Sequence, residues 1–201
     1  MKKNCMTWLI LVVVVTAIVF VNSVGMYNGL VKADNGVEEA KAQVETVCQR
    51  RLDLIPNLVE TVKGYAGHEQ ETLVAVTAVR SKAQGVLDEV KGQEPLNKEQ
   101  MFKLVSSESE LATVTKMLFA LAENYPDLRA STNFLALQDQ LEGTENRISV
   151  ARQRYNSAVR VYNTNVAKFP RNIVASMFGF EENDSYFEAA EGAKEDVEVK
   201  F

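Results

Sequence analysis

Residues that commonly build catalytic or metal sites are rare in this chain. Its 201 residues include one histidine, His68, and two cysteines, Cys5 and Cys48. Two cysteines placed in this way form neither a disulfide framework nor a metal-ligand spacing, and HEQE at residues 68–71 is not the H-E-x-x-H motif of zinc proteases. Phosphate-loop, dinucleotide-binding and G-x-S-x-G motifs are also missing. We therefore predict no catalytic residue, no cofactor, no bound metal and no enzymatic activity.

A basic stripe is absent as well. The net charge is −5, and residues 181–201 carry eight acidic side chains against two lysines, so this segment accounts for −6 and residues 1–180 for +1. Nucleic-acid-binding proteins need Lys and Arg clustered on one face. We predict no nucleic-acid partner, and we interpret residues 181–201 as an acidic, flexible C-terminal tail.

Proline (4) and glycine (10) are few, so the chain offers few positions that break helices. Apolar residues recur three and four positions apart instead, which is the spacing of one helix face. Weaker seams of this kind extend over residues 55–90 and 101–125, and the short links at 92–97 and 125–131 favour antiparallel neighbours. The clearest seam comprises Phe134, Leu137, Leu141, Thr144, Ile148, Ala151, Tyr155, Ala158, Tyr162, Val166 and Phe169.

The amino-terminal segment is apolar. No charged residue occurs from Asn4 to Val31, and the 19 residues Met6–Val24 would extend about 28 Å as a helix, close to the thickness of the hydrocarbon core of a bilayer. Trp8 and Tyr27 lie near its two ends, where amphipathic rings prefer to be. A cleaved signal peptide is the alternative, but the apolar run is long for one and no clear A-x-A site follows it.

The predicted fold class is therefore all-α. A single N-terminal transmembrane helix continues into an elongated antiparallel bundle of about four helices, followed by the acidic tail. The predicted regions are a membrane anchor (1–26), a helical bundle (27–180) and the tail (181–201).

The stretch LDLIPNLVETV, Leu52–Val62, places a proline within a helical pattern. Pro56 has no backbone N–H, and the residue before a proline is disfavoured in the helical region. With Asp53 as a candidate cap, we interpret the stretch as a tight corner or kink between the membrane helix and the next one. A functional hinge at Pro56 and Asn57 is the alternative, and a catalytic loop is disfavoured.

Three Tyr-Asn pairs occur in the chain. Tyr155–Asn156 and Tyr162–Asn163 are one heptad apart, so they share one helix face, and Tyr27–Asn28 is the third. Buried tyrosine hydroxyls need hydrogen-bond partners, and an asparagine beside a seam can fix the register of helix pairing. We expect register-setting polar packing at these positions; a polar patch that binds a ligand is the alternative.

The chain ends EVKF, in which Val199 and Phe201 alternate before a free carboxylate. An ending of this kind fits a sheet edge or the carboxylate-binding groove of a PDZ-like partner. Both a solvated end and a recruitment signal at Val199 and Phe201 remain open.

Four segments resemble the LemA family of bacterial membrane proteins. The resemblance extends from about Tyr27 to Phe201 and implies one amino-terminal membrane helix, an extended antiparallel helical bundle and no enzymatic activity. We therefore expect the bacterial cytoplasmic (inner) membrane. Lys2 and Lys3 favour a cytoplasmic amino terminus with the helical domain outside, whereas family descriptions put the short amino end outside. The segments are RRLDLIPNLVETVKGYAGHE, LFALAENYPDLRAS, LQDQLEGTENRISVARQRYNSAVRVYNTNVAKFP and YFEAAEGAKEDVEVKF.

Two functions agree with these features. The first is a membrane-anchored helical scaffold or adaptor in envelope or membrane organisation, which self-associates or binds protein partners. The second is an envelope sensor or ligand-binding module, with a polar cleft lined by Tyr155, Asn156, Tyr162 and Asn163. The lipid bilayer is a partner in both.

Overall fold

The computed structural model describes the backbone of residues 2–93 and 96–187, and side chains from Trp8 onward. Within this part of the chain there are six α-helices and no β-strand, so the predicted all-α fold is confirmed. Two of the helices, α4 and α6, are short. The helices are α1 (Lys2–Tyr65), α2 (Gln70–Val90), α3 (Lys98–Ala122), α4 (Pro126–Arg129), α5 (Thr132–Ala167) and α6 (Arg171–Phe178).

The first part of α1 is an apolar membrane-spanning segment. An 18-residue stretch of it has a mean hydropathy of 2.6, and none of that stretch is buried inside the protein. Trp8, Leu11 and Phe20 are each more than half exposed. Such a surface is unfavourable in water and favourable in hydrocarbon, where a helix also satisfies its own backbone groups. As predicted, α1 is the one helix among the described residues that is long and apolar enough to span a membrane.

The described chain forms two compact units. Unit 1 contains residues 2–39 and Ser157–Asn183; unit 2 contains Ala40–Asn156 and residues 184–187. Helices α1 and α5 contribute residues to both units, so the division does not follow helix ends. The region limits at residues 26 and 180 stay a prediction.

In unit 2, α2 and α3 are antiparallel neighbours. Lys82 pairs with Glu110 at 2.7 Å and Glu89 with Lys103 at 3.6 Å, so residue numbers rise on one helix as they fall on the other. The core of this unit is aliphatic, which makes burial of apolar surface its main stabilising contribution. Fully buried members include Val44, Cys48, Leu52, Ile55, Leu58, Val62, Leu111, Leu118 and Leu128.

The predicted corner between two helices at Pro56 is wrong, because α1 continues through Pro56 to Tyr65. A kink within α1 at Pro56 stays a prediction. The chain turns instead at residues 66–69, before α2 begins at Gln70. Asp53 is not a helix cap; its carboxylate accepts a hydrogen bond at 2.9 Å from Nε2 of Gln49, one turn earlier in the same helix.

Two features explain why the helix tolerates this proline. Leu52, Ile55 and Leu58 lie on one face and are fully buried, so packing holds the helix on both sides of Pro56. A proline inside a helix also leaves the carbonyl four residues earlier without its usual donor. Arg80 of α2 replaces that donor, because its Nε donates to the Leu52 carbonyl at 3.1 Å.

The chain after α6 is partly buried. Residues 181–187 belong to the predicted flexible tail, yet Ser185 and Phe187 are 3% and 9% exposed in unit 2. The Ser185 hydroxyl donates to the carbonyl of Leu96. The rest of the predicted tail, including Val199 and Phe201, lies outside the described residues.

Candidate functional site

A buried cluster of charged side chains joins three helices of unit 2. Arg51 on α1 and Glu108 on α3 are 5% and 3% exposed, and Nη1 of Arg51 is 3.3 Å from Oε2 of Glu108. Nη2 of Arg51 is 2.7 Å from Oε2 of Glu145 on α5, whose side chain is more than half exposed. Burying an unpaired charge is costly, so this pairing favours one arrangement of α1, α3 and α5.

The cluster also includes Cys48. Burial raises the pKa of Glu108 above its ordinary value, and the guanidinium groups of Arg51 and Arg152 oppose the shift. Burial likewise raises the pKa of the Cys48 thiol, and the Glu108 carboxylate nearby raises it further. A thiol with a raised pKa stays protonated at neutral pH and is a poor nucleophile. We interpret the cluster as structural.

Asn156 holds the chain after α6 in unit 2. Its Nδ2 donates to the carbonyl of Phe187 at 2.8 Å, and its Oδ1 accepts from the N–H of Phe187 at 2.9 Å. Tyr155, 1% exposed, packs edge-on against the Phe187 ring with centroids 5.2 Å apart. The guanidinium of Arg152 lies 5.4 Å from the centroid of the same ring, a cation–π distance. Three residues on one face of α5 thus bind Phe187.

The space beside Tyr155 and Phe187 is small. A cavity lined by these two side chains and by Lys41, Leu96 and others has a volume of about 10 Å³. Such a volume accommodates at most one water molecule. It is not large enough for a small-molecule ligand.

Asn163 makes the same pair of hydrogen bonds in unit 1. Its Nδ2 donates to the carbonyl of Asn183 at 2.8 Å, and its Oδ1 accepts from the N–H of Asn183 at 2.8 Å. Tyr162 beside it is 6% exposed. Burial raises the pKa of Tyr162, and the carboxylates of Asp34 and Glu181 raise it further, so the hydroxyl stays protonated.

The two asparagines therefore bind main chain. Sequence reasoning placed Asn156 and Asn163 on one face and expected them to set helix register, whereas the structure shows both amides on the backbone of residues 183–187. An irregular segment that lies on a helix has no neighbouring backbone N–H and C=O with which to form hydrogen bonds. The side-chain amide of an asparagine provides an equivalent donor and acceptor.

Pro56 and Asn57 lie within α1 in unit 2. Asn57 is exposed, and its carbonyl accepts a hydrogen bond at 2.8 Å from the hydroxyl of Thr61, as is usual for threonine inside a helix. Neither residue is assigned a functional role by these contacts, so a hinge at Pro56 stays a prediction.

Sequence reasoning missed two features of unit 2. The charged cluster has a signal in the sequence, because Glu108 occupies the seam position between Leu104 and Leu111 where an apolar residue is expected. The second feature is an open groove of about 500 Å³ that no periodicity indicates. It is lined by residues near the end of α1 and along α2, among them Val59, Lys63, Leu73, Val74, Thr77 and Ser81.

Comparison with known proteins decides the family. The model of the LemA family matches residues 40–201, which is most of the chain. The chain belongs to the LemA family. The resemblance found in the sequence is thereby confirmed.

Curated relatives agree with this assignment. Protein LemA of Metamycoplasma hominis is 26% identical over 176 residues, covering 88% of this chain and 75% of that protein. Magnetosome protein MamQ 2 of Paramagnetospirillum magneticum is 24% identical, covering 92% and 73%. Magnetosome protein MamQ of Magnetospirillum gryphiswaldense is 21% identical, covering 89% and 71%. None of these names is that of an enzyme.

Proposed function

We propose that this LemA-family chain is a membrane-anchored helical scaffold or adaptor without enzymatic activity. The observation that carries the proposal is α1. One helix of 64 residues contains both the membrane-spanning segment and fully buried core residues of unit 2, such as Leu52, Ile55 and Leu58. No loop separates the anchor from the core, which suits a protein that presents a folded surface at a bilayer.

The relatives support a role in organisation. The MamQ relatives are named as magnetosome proteins, and this name mentions no reaction. By analogy we propose that this chain acts in the organisation of a bacterial membrane, by self-association or through protein partners. We propose the cytoplasmic membrane, with the amino terminus inside, because Lys2 and Lys3 precede the apolar segment.

The alternative of a sensor with a Tyr/Asn-lined cleft has less support. The amides of Asn156 and Asn163 each use their donor and acceptor on backbone groups. The cavity beside Tyr155 holds only about 10 Å³. A ligand at these residues would have to displace contacts that fix residues 183–187.

Photo-crosslinking in intact cells tests the scaffold. A photoreactive amino acid is placed at Val74 or Phe102, which are 66% and 71% exposed in unit 2, and at Val62, which is fully buried, as the control. We expect discrete crosslinked species of defined mass from at least one exposed position and none from Val62. A chain that is in the membrane but remains monomeric and uncrosslinked at both exposed positions would contradict the proposal.

A further inference from the structure

The helix α6 and the residues just before it expose an apolar face in unit 1. Phe169, Ile173 and Met177 are four positions apart and are 74%, 54% and 75% exposed. Val174 and Ala175, on the other side of the helix, are buried. Phe169 lies in the turn before α6, and Ile173 and Met177 are one turn apart on the helix. Their uncovered apolar surface is unfavourable in water and indicates a contact with an apolar phase or partner.

The helix lies against α1 just beyond the membrane-spanning segment. The ring centroid of Phe178 is 4.8 Å from that of Tyr27. The guanidinium of Arg171 lies beside Gly29, where a Cβ would be 3.5 Å from Nη2. α6 is therefore in contact, within the same unit, with the part of α1 that follows the span.

The depth of this contact follows from helix geometry. Tyr27 and Gly29 follow Val24, the last residue of the apolar run, by three and five positions, about 4 to 8 Å along a helix. The headgroup region on each side of the hydrocarbon core is about 5 to 7 Å thick. The face of α6 is thus at the level of the lipid headgroups.

Two basic residues, Lys168 and Arg171, lie just before and at the start of α6, and two exposed acidic residues, Glu181 and Glu182, follow Phe180. From Ser157 to Phe180 the chain has three basic residues, Arg160, Lys168 and Arg171, and no acidic one. Lys168 is exposed and precedes Phe169. Basic residues near a bilayer are attracted to anionic headgroups, and an apolar face flanked by them is typical of interfacial helices.

We propose that α6 together with Phe169 is a second membrane contact, which lies in the bilayer interface beside the span. Phe169, Ile173 and Met177 enter the boundary between headgroups and acyl chains, and Lys168 faces anionic lipid phosphates. This contact is independent of the scaffold role, since it concerns how unit 1 sits on lipid and not which proteins unit 2 binds.

Lipid-borne quenchers test this contact on the full chain. Single cysteines are introduced as Met177→Cys or Val161→Cys in a Cys5→Ser, Cys48→Ala background, labelled with a fluorophore and reconstituted in vesicles of phosphatidylethanolamine and phosphatidylglycerol. Val161 is the matched control: it is apolar, 57% exposed and in the same unit. Its neighbour Tyr162 is near Asp34, ten positions beyond Val24 and so about 15 Å further along α1.

We expect lipids with a nitroxide near the headgroup to quench the label at position 177 at least about threefold more than the label at 161. Replacing phosphatidylglycerol by phosphatidylcholine should weaken quenching at 177; equal quenching would overturn the role of charge. A label at 177 that is quenched no more than at 161 overturns the contact. Protection of the label at position 177 from both the lipid quencher and aqueous iodide also overturns it, because protein then covers the face.

The same membrane contact can be tested on the unmodified chain, without cysteine variants. A photoreactive lipid with its diazirine near the headgroup is activated in the same vesicles, and the tryptic peptides are compared by mass spectrometry. Peptide 172–194 contains Ile173 and Met177, whereas peptide 161–168 contains Val161. Labelling of the first at least about threefold above the second is expected, and equal labelling would overturn the proposal.

Discussion

At the scale of single residues, a polar group on one helix of unit 2 provides the hydrogen-bond or ion-pair partner that a residue on another helix needs. Pro56 removes a backbone donor in α1 and Arg80 of α2 provides one for the Leu52 carbonyl. Arg51 on α1 is likewise buried, and its Nη1 and Nη2 pair with Glu108 and Glu145. A proline inside a helix and a buried charge are each unfavourable alone, and each has a partner that is remote in sequence. The two members of each pair should therefore be energetically coupled.

Arg80→Leu should lower the free energy of unfolding by about 1 to 2 kcal/mol, because it leaves the Leu52 carbonyl without a donor. In a Pro56→Ala background the new N–H of residue 56 can bond that carbonyl, so the same substitution should cost less than about 0.5 kcal/mol. Urea denaturation in detergent, followed by circular dichroism, measures both values. Arg147→Leu, at an exposed position of α5, is the control for loss of an arginine. An equal cost of Arg80→Leu in the two backgrounds would refute the coupling.

Glu108 should make stability depend on pH. Its pKa in the folded protein is raised above the ordinary 4.5, so its contribution to stability is full below that value and is lost as pH rises through the folded pKa. Between about pH 8 and pH 5 the wild type should therefore gain stability relative to Glu108→Gln. Thermal unfolding of both proteins across this range measures the difference. Glu142→Gln, an exposed carboxylate on α5, should keep the wild-type pH dependence; a constant difference between wild type and Glu108→Gln would contradict the prediction.

At the scale of elements, helix α5 fixes the segment after α6 with side chains. Asn156 and Asn163 each present an amide to one residue of that segment, and Tyr155 and Arg152 cover the ring of Phe187. A segment without helix or strand has unpaired backbone groups, and these contacts satisfy part of them. The fixed conformation of residues 183–187 should therefore depend on the side-chain contacts made by α5.

Asn156→Leu should speed amide exchange in residues 184–187 by at least about tenfold, because it removes both hydrogen bonds to the backbone of Phe187. Hydrogen–deuterium exchange on the full chain in detergent, read by mass spectrometry, measures this rate. Asn57→Ala is the matched control, since Asn57 is exposed on α1, and it should leave the rate unchanged. If Asn156→Leu also leaves exchange unchanged, the amide does not hold the segment.

At the scale of the whole molecule, α1 contains both a membrane-spanning segment, which belongs to unit 1, and core residues of unit 2. The anchor and a large part of the core share α1, so a retained amino terminus is necessary for a membrane-bound protein of this architecture. The side of the membrane on which unit 2 lies decides which proteins can be its partners, and the lysines around the span predict that side.

The chain should remain in the membrane pellet after alkaline extraction, with peptides from its first 24 residues present, because the apolar segment is an anchor. In intact cells with a permeable outer layer, a membrane-impermeant amine reagent should modify Lys116, which is exposed on α3. Lys2 and Lys3 should react only after the membrane is opened. Modification of Lys2 and Lys3 in intact cells, with Lys116 protected, would reverse the predicted orientation.

Much of the fold could be predicted from local pattern. The seam that begins at Phe134 predicts α5, and the apolar run predicts the membrane segment. The links at 92–97 and 125–131 predict where helices end. The candidate positions Asn156 and Asn163 were also found by spacing. Their partners were not, because Asn183 and Phe187 belong to an acidic stretch whose composition resembles a solvated tail.

The sequence by itself determined the helical class, the anchor and the family, because hydrophobic periodicity and length are local properties that each segment carries alone. Only the tertiary structure decided that α1 stays helical through Pro56 and that Arg51, Glu108 and Glu145, from three helices, form one charged cluster. It also decided that α6 lies against α1 just beyond the span. These outcomes depend on groups that are far apart in sequence. The free-energy cost of an unpaired backbone carbonyl or of a buried charge depends on whether tertiary packing places a hydrogen-bond or ion-pair partner beside it.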